Sequence, residues 1–404
     1  MTTRIDSANF QGNLQRRQTG QAAAALAAAG TASVLGLNPA FAQTSPALPG
    51  ITPTEIRIGQ TAALTGPLSG ANLQAVAAAK AMFEAVNAKG GINKRKLTLV
   101  SMDDMYDTAK AVENVRTLVS TDQGVFAFMG IAGTPANMAV VKPLLEMKVP
   151  HLAPYTGADV LRSPENTMAF HIRASYTAEL AKIAEYMATT GFNEVAVLLS
   201  DNAFGKGSLA VFEQLAAKEK IKVVAAVVMP DKLDSPAAGA AITAQLTKSN
   251  AKAVLGVVAA NSALAWAKTE LPKLGRPYMT LSLLGNEGVV RLLGDAANGL
   301  IVSQTVPYPY SRKYPIANEY VALMKDAPAG SLGFSGMEGF IAARVMVEAL
   351  TRAGANPTRE SFTASLTSKK FDLNGYTVDF TPNKRVGSNF VELSFIQPGG
   401  KFVQ

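Results

Sequence analysis

The chain has 404 residues, 48% of them hydrophobic and 17% charged, which is enough for two domains of ordinary size with buried cores. Its net charge of +8 is spread thinly, and the densest basic cluster, Lys94-Arg95-Lys96, lies in a turn-like stretch, which argues against a nucleic-acid partner. The absence of cysteine excludes disulfides, thiolate zinc sites, thiol nucleophiles and a lipidated N-terminal cysteine; the two histidines, His151 and His171, fall in apolar strand-like runs that suit core residues better than metal ligands.

No residue from Gln18 to Thr54 is charged. This stretch follows Arg16-Arg17, continues through an Ala-rich run to Leu37 and reaches Ala40-Phe41-Ala42, the three-part form of an export signal. Cleavage is expected after Ala42, by the twin-arginine or the general secretory route, so residues 1–42 read as a signal peptide and 43–53 as a polar, Pro-rich leader. The chain beyond Gly50 contains no run of membrane-spanning length, and a soluble periplasmic protein is the expectation.

From Glu55 onward, short β-branched runs alternate with Ala-rich segments of helical period, the pattern of parallel strands joined by crossover helices. Strands are predicted at 55–62, 96–103, 125–131 and 150–154, with helices near 70–88, 107–120 and 135–147. A second round is predicted with strands at 168–173, 194–200, 221–229, 253–259 and 278–284, and helices near 176–190, 206–219, 238–249 and 261–274. After a strand at 299–306 the pattern changes: Pro307, Pro309 and Pro315 punctuate it, helices follow near 314–325 and 335–353, and strands near 375–381 and 390–397 close the chain. The fold class read from this order is α/β, with two βαβ sheets.

Open α/β sheets bind ligands beyond the carboxyl ends of their strands, where loops enter helices and backbone N–H groups are unpaired. Three such loops, Leu64 to Gly70, Gly130 to Pro135 and Pro154 to Ala158, are rich in small residues and hydroxyls, so backbone can approach a ligand closely and favour a carboxylate. Any one of them alone also reads as a turn with a capping threonine.

Signatures of catalysis are incomplete. Gly205-Lys206-Gly207-Ser208-Leu209-Ala210 fits a loose dinucleotide pattern, but four residues separate it from the strand and no acid closes the next strand. Gly333-Phe334-Ser335-Gly336 misplaces the second glycine of a nucleophile elbow. Asp103, Asp104 and Asp107 suit helix caps as well as a hard cation. Nothing assembles nucleophile, base and oxyanion donor, so no enzyme, metal or cofactor is expected.

Several stretches taken together carry a resemblance: Ile58-Gly59-Gln60 with Leu64-Thr65-Gly66-Pro67, Phe83 to Asn93, Gly133-Thr134-Pro135, Arg173-Ala174-Ser175-Tyr176, Asp201 to Gly205, and Glu338-Gly339-Phe340. In this ordered set the chain resembles the branched-chain amino-acid and amide class of ABC-transporter solute-binding proteins, those like the leucine-binding protein. The resemblance implies a type I periplasmic-binding fold: two doubly wound lobes, residues 54–173 with 306–371 and residues 174–305 with 372–404, joined by a three-strand hinge. It implies a small-molecule ligand (an amino acid, an amide or another carboxylate), a transporter permease as partner and a monomeric receptor. The ligand-binding residues it implies are Ser69, Gly133, Thr134, Tyr155, Thr156 and Gly157 from the first lobe, Tyr176, Phe204, Ala260 and Leu284 from the second, and Phe334 near the hinge. Tyr176 and Phe204 read equally as core aromatics. Where amino-acid binders of that family keep an acid for the ligand ammonium, this chain has Leu283-Leu284-Gly285, with Glu287 the next acid; either Asp201 or Glu338 substitutes, or the ligand carries no free α-amino group. A regulatory sensor of the same fold is the alternative function; a dehydrogenase using Gly205 to Ala210 stands behind it.

Overall fold

The computed structural model describes residues 48–404 apart from 67–68, 121–123, 231, 259–260, 284 and 329, and leaves out the side chains of Ala203 and Asn261. The expected signal peptide, its cleavage site, the first part of the leader, and the site residues Ala260 and Leu284 therefore lie outside the described residues.

The first lobe is a parallel sheet of β1 (Glu55–Ala62), β2 (Lys96–Asp103), β3 (Ala127–Met129), β4 (His151–Leu152) and β5 (Ala169–Phe170), in the order β2-β1-β3-β4-β5. Helices α1 (Ser69–Asn87), α2 (Thr108–Ser120) and α3 (Thr134–Glu146) connect its strands. The chain moves outward from β1 to β2 and then back across β1 to β3, so a crevice opens between the loops that follow β1 and β3. The sequence places residues 168–173 in the second round; the structure instead pairs β5 with β4, and this two-residue strand ends the first sheet.

The second lobe is built on β6 (Glu194–Ser200), β7 (Lys222–Met229), β8 (Ala253–Val257), β9 (Tyr278–Thr280) and β10 (Ile301–Gln304), with β13 (Glu392–Gln397) and β14 (Lys401–Val403) added antiparallel at one edge. Two-residue strands β11 (Phe371–Asp372) and β12 (Thr377–Val378) pair separately. The sequences Val-Ala-Val-Leu-Leu in β6 and Ala-Val-Leu-Gly-Val in β8 are buried throughout, because helices cover both faces of a parallel sheet. Those helices are α4 (Tyr176–Thr189), α5 (Ala203–Lys218), α6 (Pro236–Lys248), α7 (Asn261–Glu270) and α8 (Glu287–Leu293). Ser175, Asn202, Ser235 and Asn286 cap four of them, each accepting a hydrogen bond from the third residue beyond.

Three further helices, α9 (Pro315–Leu323), α10 (Phe334–Ala353) and α11 (Arg359–Ser368), return to the first lobe, where α10 is buried along most of its length. The β11–β12 hairpin is tied to α9: Ile316 donates to the Asn374 carbonyl at 3.0 Å and the Asn374 amide to Glu319 at 2.8 Å. Helices α8 and α11 were not expected from the sequence, and the strand expected at 375–381 contracts to Thr377–Val378.

The lobes are joined through buried charge. Arg173, at the first crossing, lies 3.6 Å from Glu338 of α10 and 3.8 Å from Glu179 of α4, and donates to Ser282 at 2.5 Å. Glu179 in turn accepts from the Ser282 backbone at 2.8 Å and from the Ser303 hydroxyl at 2.6 Å. Burial works against the arginine charge, but Glu338 and Glu179 outweigh it and raise the Arg173 pKa. The same burial raises that of Glu338, with Arg173 opposing.

Candidate functional site

The loop after β1 is held by Asp103, which accepts from the Leu64 and Met105 backbones at 2.8 and 2.9 Å and from the Thr65 hydroxyl at 2.6 Å. The Thr65 bond leads the interactions that pull its pKa down to about 2. Asp104 accepts from Thr61 and from the Tyr106 backbone, both at 2.9 Å, and Asp107 caps α2 through Lys110 at 2.9 Å. These acids shape loops, and among the described residues no group of acids and histidines could hold a metal ion. The glycines at 205 and 207 fall inside α5 behind its Asn202 cap, so they begin a helix rather than a cofactor loop. His151 accepts from the Ile131 backbone at 3.3 Å, burial having lowered its pKa to about 3; His171 lies 3.2 Å from the Leu161 carbonyl. Both are core histidines.

Between the lobes lies a cavity of about 370 Å³. Its first-lobe wall is made by Gly66, Ser69, Asn72, Tyr106, Gly133 and Tyr155, from the loops that follow β1, β2, β3 and β4. The opposite wall is mostly apolar: Val258, Leu264, Leu271, Tyr278, Leu293 and Leu300 come from the second lobe, with Thr280, Asn286 and Arg291 as its polar members. Of the expected site residues, Ser69, Gly133 and Tyr155 line this space. The Tyr155 hydroxyl donates to Ser335 at 3.0 Å while Arg173 stacks 5.0 Å above its ring, fixing the ring between cavity and hinge.

Thr134, Thr156 and Tyr176 form a hydroxyl cluster next to it. The two threonine oxygens are 2.7 Å apart, and the Tyr176 hydroxyl is 3.3 Å from Thr134 and 3.5 Å from Thr156. Gly157 is required here: a Cβ on it would fall 2.4 Å from the Tyr176 ring. Phe204 meets Tyr176 edge-on at 5.1 Å, so these two aromatics of the second lobe pack on each other beside first-lobe hydroxyls. Phe334 is buried, with its ring against Tyr308 and Phe402 at 5.7 and 5.4 Å. It lies behind the site rather than on the cavity wall.

None of the acids considered as partners for a ligand ammonium is available on the wall. Asp201 pairs with Lys206 at 2.6 Å on the surface, and Glu338 belongs to the Arg173 cluster. Glu287 reaches across from α8 to the start of α10, accepting from the Phe334 backbone at 2.7 Å, and burial pushes its pKa up to about 7. An ammonium enclosed here would lack a counter-charge.

The sequence reading missed Asn72, Tyr106, Tyr278 and Arg291 on the cavity wall. Tyr106, whose pKa burial pushes up to about 12, packs under Gly133. The signal for Arg291 lay in Asn286-Glu287-Gly288, a cap and first turn leading into the apolar Val289-Val290.

Among the described residues no helix is long and apolar enough to cross a membrane. Residues 55–393 match the model of the periplasmic binding protein family. A Leu/Ile/Val-binding protein homologue from Brucella melitensis is 30% identical over 173 residues, 42% of this chain and 46% of that protein, so the match spans about half of the relative. The structure of a substrate-binding periplasmic protein from Ralstonia solanacearum superposes with a TM-score of 0.77 at 28% identity, covering 87% of this chain and all of that one. That of a possible leucine/isoleucine/valine-binding protein from Rhodopirellula baltica gives 0.78 at 24% identity, over 87% of this chain and 96% of that one. Two doubly wound lobes, a cavity between them and a match over nearly the whole described chain place the protein in the periplasmic binding protein family, whose members are solute receptors and not enzymes.

Proposed function

We propose that the protein is the periplasmic receptor of an ABC uptake transporter, and that it captures a small carboxylate- or amide-bearing solute with an apolar body between its lobes. The observation that carries this reading is the contrast between the cavity walls: Ser69, Gly133 and Tyr155 on one side, leucines on the other, and no acid free to receive an ammonium. In this reading Thr134 and Thr156, with the backbone around Gly157, take the polar head when their mutual hydrogen bond opens, and Tyr176 and Phe204 cover it from the second lobe. The lobes close about the three connecting segments, with Phe334 packed beside the hinge. Export as a mature monomer beginning at Gln43 belongs to the same proposal, and mass spectrometry of periplasmic protein tests it.

A thermal-shift screen of the purified protein against carboxylates, amides and amino acids tests the receptor role. A ligand at about a hundred times its dissociation constant adds roughly 2.7 kcal/mol to the folded state. A clear rise with members of the first two classes is expected; no rise with any solute would overturn the proposal.

A further inference from the structure

The apolar half of the cavity extends well inside the second lobe. Val258 and Leu283 stand at the mouth, at the carboxyl ends of β8 and β9, whereas Tyr278 and Leu300 stand where β9 and β10 begin. From Thr280 down to Tyr278 the wall descends about 7 Å along the strand. The Tyr278 ring can lie along the sheet because Gly256, which pairs with Thr280 on the neighbouring strand, has no side chain: a Cβ there would be 1.8 Å from the Tyr278 hydroxyl. Ala263, Leu264 and Ala267 of α7 form one side of this chamber, and Val289 and Leu293 of α8 the other. The whole cavity, about 370 Å³, is of the size that small-molecule sites occupy.

Among the described residues, Arg291 is the only charged side chain on the cavity wall. It is exposed at the rim, and no carboxylate of the described residues forms an ion pair with it. Its guanidinium lies against the backbone of Gly330, and Glu287 on the same helix turns its carboxylate to the Phe334 backbone instead.

Resting on the receptor reading above, we infer that the ligand is a monocarboxylate with an extended, unbranched apolar arm. The arm enters the second-lobe chamber between α7 and α8 while the head stays at the first-lobe hydroxyls, and the charge of Arg291 at the rim favours the acid over its amide. Length selection follows from the depth of the chamber, and selection for charge from a lone arginine on an otherwise uncharged wall.

Calorimetric titration with butanoate, hexanoate, octanoate, decanoate and dodecanoate, alongside the matching primary amides, tests this. Affinity should rise about fourfold per methylene over the short members, pass through a maximum within the series and fall at its long end. Ala267→Phe and, independently, Ala263→Leu should move the maximum to shorter chains, with the melting temperature of the unliganded variants reporting that they fold. Arg291→Gln should weaken the acids by about tenfold to a hundredfold and leave the amides nearly unchanged. Affinity that does not depend on chain length, or a maximum that neither filling variant moves, would overturn the chamber while a bound solute still upholds the receptor. Failure of every acid, amide and amino acid to bind would overturn both.

Discussion

Where the first lobe meets the cleft it contributes small or polar groups, Ser69 at the start of α1, Gly133 before α3 and Tyr155 after β4, with Thr134 and Thr156 bonded to each other just beside the cavity. Across the cleft, the second lobe presents Leu264, Leu271, Leu293 and Leu300, with Arg291 alone at the rim. The first wall arises from strand ends of a doubly wound sheet, whereas the second is built largely from α7, α8 and the starts of β9 and β10. The fold therefore accounts for the position of the cleft and not for the chemistry of its walls. A polar wall facing an apolar one orients a ligand that has two unlike ends, and the buried Arg173 cluster joins the lobes that carry them.

The harshest way to break this pairing is at that joint. Arg173→Met would leave Glu179 and Glu338 buried without their cation, and should destabilise the protein by about 3–5 kcal/mol in chemical denaturation. A loss within the scatter of surface substitutions would show that the carboxylates have other partners.

The polar wall is tested next. Thr134→Ala removes one member of the hydroxyl cluster and should weaken ligand binding by roughly 1–3 kcal/mol while barely altering the melting temperature. Phe204→Leu, on the opposite side, should cost only about 0.5–1.5 kcal/mol, the worth of its edge contact with Tyr176. Equal effects of the two would blur the contrast between the walls.

The contact from Glu287 to the start of α10 is tested through pH, and the sign of its effect follows from linkage. Glu287 ionises near pH 7 in the folded protein against an ordinary 4.5, so it keeps a proton that the unfolded chain has lost. The stability tied to it is complete below pH 4.5 and is lost as pH rises through 7. His151 works the other way: held neutral down to about pH 3, it contributes stability above its ordinary 6.5 that is lost as pH falls toward 3. Melting temperature followed from pH 4.5 to 8 should therefore fall less steeply with rising pH in Glu287→Gln than in the parent; parallel curves would show that the carboxyl is not linked to folding.

Much of this architecture is legible in the residues. Strands such as β6 and β8 read as short unbroken apolar runs because both of their faces are covered, and the three loops of the first lobe announce themselves by glycines and hydroxyls directly after strands. Strands β4 and β5 read from sequence as longer runs at 150–154 and 168–173, but which sheet β5 joins depends on a neighbour distant in sequence. The strand pattern alone therefore opens the second round with it, while the lobe bounds implied by the resemblance keep it in the first. Thr134, Thr156 and Tyr176 were named from sequence, but their hydrogen bonds to one another depend on where three chain segments meet. The chamber was invisible for a simpler reason. Leu264, Leu271, Leu293 and Leu300 read as ordinary core leucines, and the space that they leave open exists only once α7 and α8 are set against β9 and β10.

The central claim, a cleft that holds an acid or amide by its head and has no place for an ammonium, meets its most direct test in calorimetry with three ligands sharing one apolar body: a carboxylic acid, its amide and the corresponding α-amino acid. The acid and amide should bind with heats that Thr134→Ala diminishes, and the amino acid should bind more weakly than either. Tight binding of the amino acid alone, unchanged in Thr134→Ala, would contradict the account.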